Sequence, residues 1–132
     1  MALELGKQLS AKNIFLVDAG GALLSAFLLG ILLPKYQYLF GIPINTLYIL
    51  ACIPLLFIVY DIACYFLINK NLAIFIKIIA LFNILYSIVS LTFAFIHYHQ
   101  ITVLGWIYMI TEIVIILTLV TIEIRLANRS II

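Results

Sequence analysis

Four of the five acidic residues in this chain lie inside long apolar stretches; they are Asp18, Asp61, Glu112 and Glu123. A charged side chain at the centre of a bilayer costs about 2.5–3.5 kcal/mol on insertion scales, so such residues usually face protein or water. Carboxyls in that position can bind a proton, a cation or a ligand, or they can fix helix packing through hydrogen bonds. These acids are therefore the residues from which function can be inferred.

The sequence around the acids predicts a membrane protein. Hydrophobic residues make up 67% of the chain and charged residues 9%, with a mean hydropathy of +1.34. A soluble domain of this size could not cover such a surface with polar groups. Residues 1–13 are expected to form a short interfacial segment. Four apolar segments follow, each long enough to cross a bilayer as a helix; they span residues 14–33, 44–68, 72–96 and 101–124.

The connections predict a single all-α membrane domain, an antiparallel up-down-up-down bundle of four transmembrane helices. The turns at residues 69–71 and 97–100 are short, which makes consecutive helices antiparallel neighbours. Six of the seven Lys and Arg residues then fall at one end of the bundle, and only Lys35 falls at the other. The positive-inside rule places both termini in the cytoplasm. The chain looks like a small bacterial membrane protein, so we expect it in the bacterial cytoplasmic (inner) membrane. Its richness in Ile, Asn, Lys and Tyr indicates an AT-rich genome.

Small side chains form a row in the first segment, close to the face of its acid at 3.6 residues per turn. Small residues let neighbouring helices approach closely in lipid, so we predict a helix-packing face there. Two serines of the third segment are expected to make hydrogen bonds between helices. The helix-packing candidates are Gly21, Ala22, Ser25, Ala26, Gly30, Ser87 and Ser90.

Three of the acids are candidates for a ligand-binding or proton-binding site. By depth in the bilayer, Lys77 can reach Asp18 and Asp61, so we expect it to form an ion pair with one of them. Glu112 lies far from every Lys and Arg, so we expect it to be protonated and to donate to an interior acceptor. The candidates for ligand or proton binding are Asp18, Asp61, Asn83, Tyr86 and Glu112, with the amide and the phenol as expected acceptors.

The other polar residues are not expected to form a site. Glu123 lies at the cytoplasmic end of the fourth segment beside an arginine, and is expected to be a solvated charge at the interface. His97 and His99 are too few for a metal site and are expected to be interfacial. Cys52 and Cys64 are separated by about 18 Å on a straight helix, so they cannot form a disulfide.

The composition and the motifs exclude several classes of function. The sequence contains no nucleophile–base pair of an enzyme and no cofactor motif, so we expect neither catalysis nor a cofactor. A net charge of +2 is too small to indicate nucleic acid. Two classes stay open: binding or transport of a proton, a cation or a small amphipathic ligand, and a non-catalytic structural or accessory subunit of a membrane complex. The expected partners are membrane lipid and either further copies of the chain or other membrane helices. Three separated acids exceed what packing requires, which favours binding or transport.

Overall fold

The chain forms helices almost throughout. The computed structural model describes the backbone of residues 2–129 and the side chains of residues 11–129. That part of the chain contains no strands, and four helical stretches in it are long and apolar enough to cross a membrane. The prediction of an all-α protein with four such helices is confirmed. In chain order the elements are α1 (Ala2–Phe27), a π-helical turn (Leu28–Leu32), α2 (Leu33–Lys35), α3 (Gln37–Phe40), α4 (Ile44–Leu67), α5 (Leu72–Ile96) and α6 (Val103–Ala127).

The first helix is longer than the sequence predicted, and it ends irregularly. α1 begins at Ala2, so the segment expected at the interface continues directly into the first apolar segment; Met1 lies outside the described residues. At the other end, the Leu33 N–H donates to the Leu28 carbonyl five residues back, which forms the π-helical turn. Pro34 follows, and a proline has no N–H with which to continue regular helical bonding. The chain therefore leaves the first helix through a widened turn.

Hydrogen bonds join the connections at both ends of the molecule. At one end, Lys12 Nζ donates to Asn69 Oδ1 over 2.7 Å, so the beginning of α1 lies beside the end of α4. At the other end, the Thr102 hydroxyl donates to the carbonyl of Leu39 over 2.6 Å. The Thr102 N–H donates to the carbonyl of Phe40 over 3.1 Å, and its side chain caps α6. These bonds fix α3 against the start of α6.

The long helices pack as two pairs. α1 packs most extensively on α4, and α5 packs most extensively on α6, whereas α1 and α6 touch at few points. A buried apolar cluster that includes Leu29 and Met109 lies towards one end, and a second that includes Phe15 and Ile79 lies towards the other. Along α1, α5 and α6, the buried polar residues fall between members of these two clusters. The pairing leaves a gap between α1 and α6.

The small residues of α1 pack closely at only one end of the predicted face. Ala26 is buried, and a Cβ added to Gly30 would lie 3.4 Å from Cβ of Ala51 in α4. Gly21 is exposed, and a Cβ added there would meet nothing within 4 Å. It does not lie in the helix contact that its spacing predicted, because that part of α1 faces the gap rather than α4. Two further members of the row line this gap as well, Ala22 and Ser25.

Candidate functional site

Each of the four long helices places one polar side chain in the same buried layer. Three of these side chains are carboxyls and one is an amide, and none is more than 5% exposed. We call this set the carboxyl layer; its members are Asp18 of α1, Asp61 of α4, Asn83 of α5 and Glu123 of α6. The structure thus brings together three residues that the sequence proposed as a binding site, and adds a fourth.

Asn83 supplies the amide donor of the carboxyl layer. Its Nδ2 donates to Asp18 Oδ1 over 2.7 Å and to Glu123 Oε1 over 3.1 Å. The Asp61 carboxyl is a neighbour of the Asp18 and Glu123 carboxyls. Within the described part of the chain, Asp18 Oδ2, Glu123 Oε2 and both Asp61 oxygens have no hydrogen-bond partner. The layer therefore contains more buried acceptors than its amide can satisfy, unless protons occupy some of the carboxyls.

The expected ion pair of Lys77 with Asp18 or Asp61 is absent. Lys77 is exposed, both Asp61 oxygens are without a partner, and the donor to Asp18 is the amide of Asn83. The expectation rested on the depth of the lysine alone, and the direction of its side chain around the helix was not considered. Lys77 precedes Asn83 by six residues, which is about 240° around the helix beyond one full turn. Its side chain therefore leaves α5 about 120° away from that of Asn83, on a face that does not point to the carboxyl layer.

Glu123 differs most from the sequence expectation, because it is fully buried rather than solvated. The spacing of the acids in α6 could have revealed this. Glu123 follows Glu112 by eleven residues, which is about three full turns, so both carboxyls leave the helix on the same face. Arg125, two residues later, is exposed on another face. Nearness to an arginine in sequence was therefore a poor guide to the position of this acid.

Glu112 forms a second polar group with two tyrosines, about 16 Å along α6 from Glu123. The Tyr86 hydroxyl of α5 donates to Glu112 Oε1 over 2.7 Å, and the Tyr108 hydroxyl of α6 donates to Glu112 Oε2 over 2.6 Å. Tyr86 was an expected partner, whereas Asn83 bonds to the carboxyl layer instead. The protonation of Glu112 stays a prediction, since both a carboxyl and a carboxylate fit between two phenol oxygens. Glu112 thus ties α5 to α6.

The two serines of α5 are buried, and one of them, Ser90, makes the expected hydrogen bond between helices. The Ser87 hydroxyl donates to the carbonyl of Asn83 in its own helix over 3.0 Å. The Ser90 hydroxyl donates to the sulfur of Met109 in α6 over 4.0 Å, which joins the two helices through a weak acceptor. Serine in a helix commonly bonds to a carbonyl four residues back, and Ser87 makes this local bond instead of one between helices.

A cavity of about 270 Å³ lies in the gap between α1 and α6. Asp18 and Asn83 line one end of it, and the Glu112 group lines the other. Pro54 and Phe57 of α4 form part of an otherwise largely apolar wall. Several residues at its rim are exposed, so the cavity opens sideways at the outer surface of the bundle; they are Gly21, Leu24, Thr111 and Ile115.

The chemistry available to these groups is hydrogen bonding, proton exchange and charge pairing. In residues 11–129, no group of three or more His, Cys, Asp or Glu side chains is arranged to hold a metal ion. The buried carboxyls face other carboxyls, an amide and phenols. An organic cation could approach them from the cavity, where the apolar wall would accommodate its hydrocarbon part.

Comparison with known proteins does not identify a relative. No protein-family model matches the chain, and no curated protein or solved structure is significantly similar to it. Function is therefore inferred from the geometry of the carboxyl layer, the Glu112 group and the cavity.

Proposed function

We propose that the protein is a multi-pass membrane protein that binds a small amphipathic cation in the cavity between α1 and α6. One observation carries this proposal: a largely apolar cavity of about 270 Å³ ends on a buried carboxyl, and one oxygen of that carboxyl has no donor. The carboxyl is that of Asp18, which is 2% exposed. Ligand sites typically combine apolar walls with a few polar groups that fix orientation.

Membrane insertion is supported by the outer surface of the bundle. Large apolar side chains are exposed along all four long helices, such as Leu23, Leu56, Ile88 and Ile115. With an up-down-up-down course, the contact of Lys12 with Asn69 lies at the end that carries both termini. Six of the seven Lys and Arg residues also belong to that end, which supports a cytoplasmic position for it. We propose the bacterial inner membrane as the location.

The orientation predicts which positions an impermeant thiol reagent can reach. In a background lacking Cys52 and Cys64, single cysteines at Asn71 and Arg129 are expected to be protected in intact cells. A cysteine at Gln37, at the other end, is expected to react, and permeabilisation should expose all three. The measurement is gel-shift labelling with a maleimide polymer. Labelling of position 71 but not of position 37 in intact cells would reverse the orientation.

The polar end of the cavity favours a cation over a neutral or anionic ligand. Asp18 Oδ2 lacks a donor, and no described Lys or Arg side chain pairs with the carboxyls of the layer. An ammonium group would donate to this oxygen in a charge-assisted hydrogen bond. An anion would meet three carboxyls without a compensating charge. The hydrocarbon part of the ligand would contact Phe57 and the aliphatic residues of α6.

The sideways opening favours a ligand that first partitions into lipid. The rim of the cavity includes Leu24, which is 59% exposed, and Ile115, which is 63% exposed. In a bilayer both side chains would contact acyl chains. An amphipathic cation concentrates at the membrane interface and could enter between α1 and α6 without crossing a polar surface.

Filling the cavity is expected to abolish binding. Ala22 lines the cavity and is half-buried, so Ala22→Phe places a ring where the ligand would lie. Leu23→Phe, at the neighbouring exposed position, is the matched control. Octylammonium binding is measured by calorimetry in lipid nanodiscs, with empty nanodiscs as the blank and 1-octanol as the neutral probe. We expect affinity for the ammonium to fall about tenfold or more in Ala22→Phe, equivalent to at least about 1.4 kcal/mol, and to be unchanged in Leu23→Phe.

The same titration decides between binding and the accessory role. The two short hydrogen bonds to Glu112 suit a structural tie between α5 and α6, which both functions would use. If octylammonium heats match those of 1-octanol and do not differ between the two variants, the cavity is not a cation site. The structural or accessory role would then be favoured. Ser25→Leu fills a neighbouring part of the cavity and replaces Ala22→Phe if that variant does not fold.

A further inference from the structure

We propose that the carboxyl layer is a proton-binding site, and that a cation entering the cavity releases a proton from it through Asp18. The proposal of proton binding rests on the burial and the hydrogen bonds of the carboxyl layer, whereas the coupling of proton release to a cation rests on the proposed function. The layer is assembled from all four long helices, so its occupancy affects the contacts of the whole bundle.

The layer cannot hold three ionised carboxyls. Asp61 and Glu123 are fully buried and Asp18 is nearly so, and an isolated buried charge is very unfavourable in such surroundings. Like charges that share a site also disfavour each other. Asn83 offers two hydrogens, both of which are used. Protons on the carboxyls would convert some of the unpartnered acceptors into donors, most directly between Asp61 and Asp18.

Among the side chains of residues 11–129, the neighbours of Asp61 on every packed helix supply no compensating positive charge. α1 presents Asp18, α5 presents Asn83 and α6 presents Glu123. On α4 itself the neighbours are Cys64, which is buried, and Tyr60, whose hydroxyl donates to the carbonyl of Phe75 over 2.8 Å. None of these groups, as described, is a cation. A proton is therefore the simplest positive charge that the layer can take up from water.

Asp18 is the member that connects the layer to the cavity. It accepts from Asn83 through Oδ1, it is a neighbour of Asp61, and it also lines the cavity. Asp61 and Glu123 do not line the cavity. A cation in the cavity would therefore meet the layer at Asp18, and a proton shared between Asp18 and Asp61 would respond to it.

The exchange is a proton transfer without oxidation or reduction. As the ammonium approaches, the O–H bond of the protonated carboxyl breaks and its electron pair stays on the carboxylate oxygen. The proton passes to water, and the ammonium takes its place as the compensating positive charge. Each binding site thus loses one proton and gains one ammonium group, so its net charge does not change. Rising pH therefore favours cation binding, because the competing proton becomes scarcer.

Calorimetry of octylammonium binding to the full chain in nanodiscs tests this exchange. Titrations in buffers of different ionisation enthalpy give the number of protons released. We expect about one proton per bound cation near neutral pH, and an affinity that rises about tenfold per pH unit. Asp61→Asn leaves an amide that can donate permanently to Asp18. Binding should therefore persist in this variant, while proton release and the pH dependence are lost. Ser87→Ala, a buried change one turn from the layer, is the control that should keep both.

An infrared measurement without any ligand separates the two proposals. Protonated carboxyls in the layer give a C=O band near neutral pH, which should shrink in Asp61→Asn relative to the wild type. Cation binding without proton release overturns the coupling and leaves the proposed function standing. Absence of cation binding with the band present supports proton binding and removes the proposed function. Absence of a protonated-carboxyl band that responds to Asp61→Asn overturns proton binding by the layer.

Discussion

Gly105→Ala is expected to destabilise the folded protein by about 3 kcal/mol, at the upper end of typical values for over-packing. A Cβ at this position would collide with the carbonyl oxygen of Phe40 and would lie 2.7 Å from Cγ2 of Ile101. The carbonyl cannot easily move, because it accepts the N–H of Thr102 over 3.1 Å. The preceding carbonyl, that of Leu39, is held by the Thr102 hydroxyl. The new methyl group would therefore push α3 away from α6.

Gly20→Ala is the matched control for this prediction. A Cβ added to Gly20 meets nothing within 4 Å, and the residue lies inside α1. Alanine is more favourable than glycine in a helix interior by about 1 kcal/mol, so this variant should be at least as stable as the wild type. Unfolding in mixed detergent micelles, followed by circular dichroism, measures both. Equal stabilities for the two alanine variants would mean that α6 does not approach Phe40 as closely as described.

The second large effect is expected at Asn83. Asn83→Leu removes the amide that donates to Asp18 and Glu123, and both acceptors are buried. Leaving a buried acceptor without a donor costs about 1–3 kcal/mol, so losing both bonds should destabilise the protein by at least about 2 kcal/mol. Ser87→Ala removes a buried hydroxyl that bonds within its own helix. Its expected cost is at most about 1 kcal/mol.

Asp61→Asn adds a hydrogen-bond donor to the carboxyl layer, whereas Asn83→Leu removes one. It replaces a carboxyl whose two oxygens lack partners by a side chain that can donate to Asp18. The protein should be no less stable than the wild type in the same unfolding experiment. A clear loss of stability would indicate that a positive charge compensates Asp61. Similar losses for Asn83→Leu and Ser87→Ala would show that the amide does not hold the layer together.

The helices could be predicted from the sequence because their signal is local. The third helix, 72–96, was predicted with the bounds that the structure shows, since Asn71 and His97 interrupt the apolar run on either side. The start of the first helix was not predicted. Residues 2–13 are mixed in polarity, and hydropathy marks the part of a helix that fits a bilayer rather than the helix itself.

Residues of the candidate site were predicted only where the depth of a residue along its apolar segment was sufficient information. Asp18 and Asp61 were expected at a similar depth, and Tyr86 was an expected partner of Glu112. Asn83 was also expected beside Glu112, but it bonds to Asp18 and Glu123. The pairing of Lys77 was wrong because depth alone does not give the direction of a side chain. Which face of a helix is buried depends on which helices form pairs. The pairing of α1 with α4 and of α5 with α6 cannot be predicted from the sequence of any single segment. The cavity follows from this pairing, so no local pattern could reveal it.

The carboxyl layer has a consequence for the biosynthesis of the protein. Its members emerge from the ribosome in the order Asp18, Asp61, Asn83 and Glu123. Until α5 has been made, two acids lie in the nascent α1–α4 pair without the amide, and until α6 has been made, the amide has one of its two acceptors. The last polar contact thus forms only after α6 has been made as far as Glu123. In the proposed membrane location, a chain that stops before Glu123 would leave polar groups without partners among the helices, the kind of defect that membrane quality-control proteases can recognise.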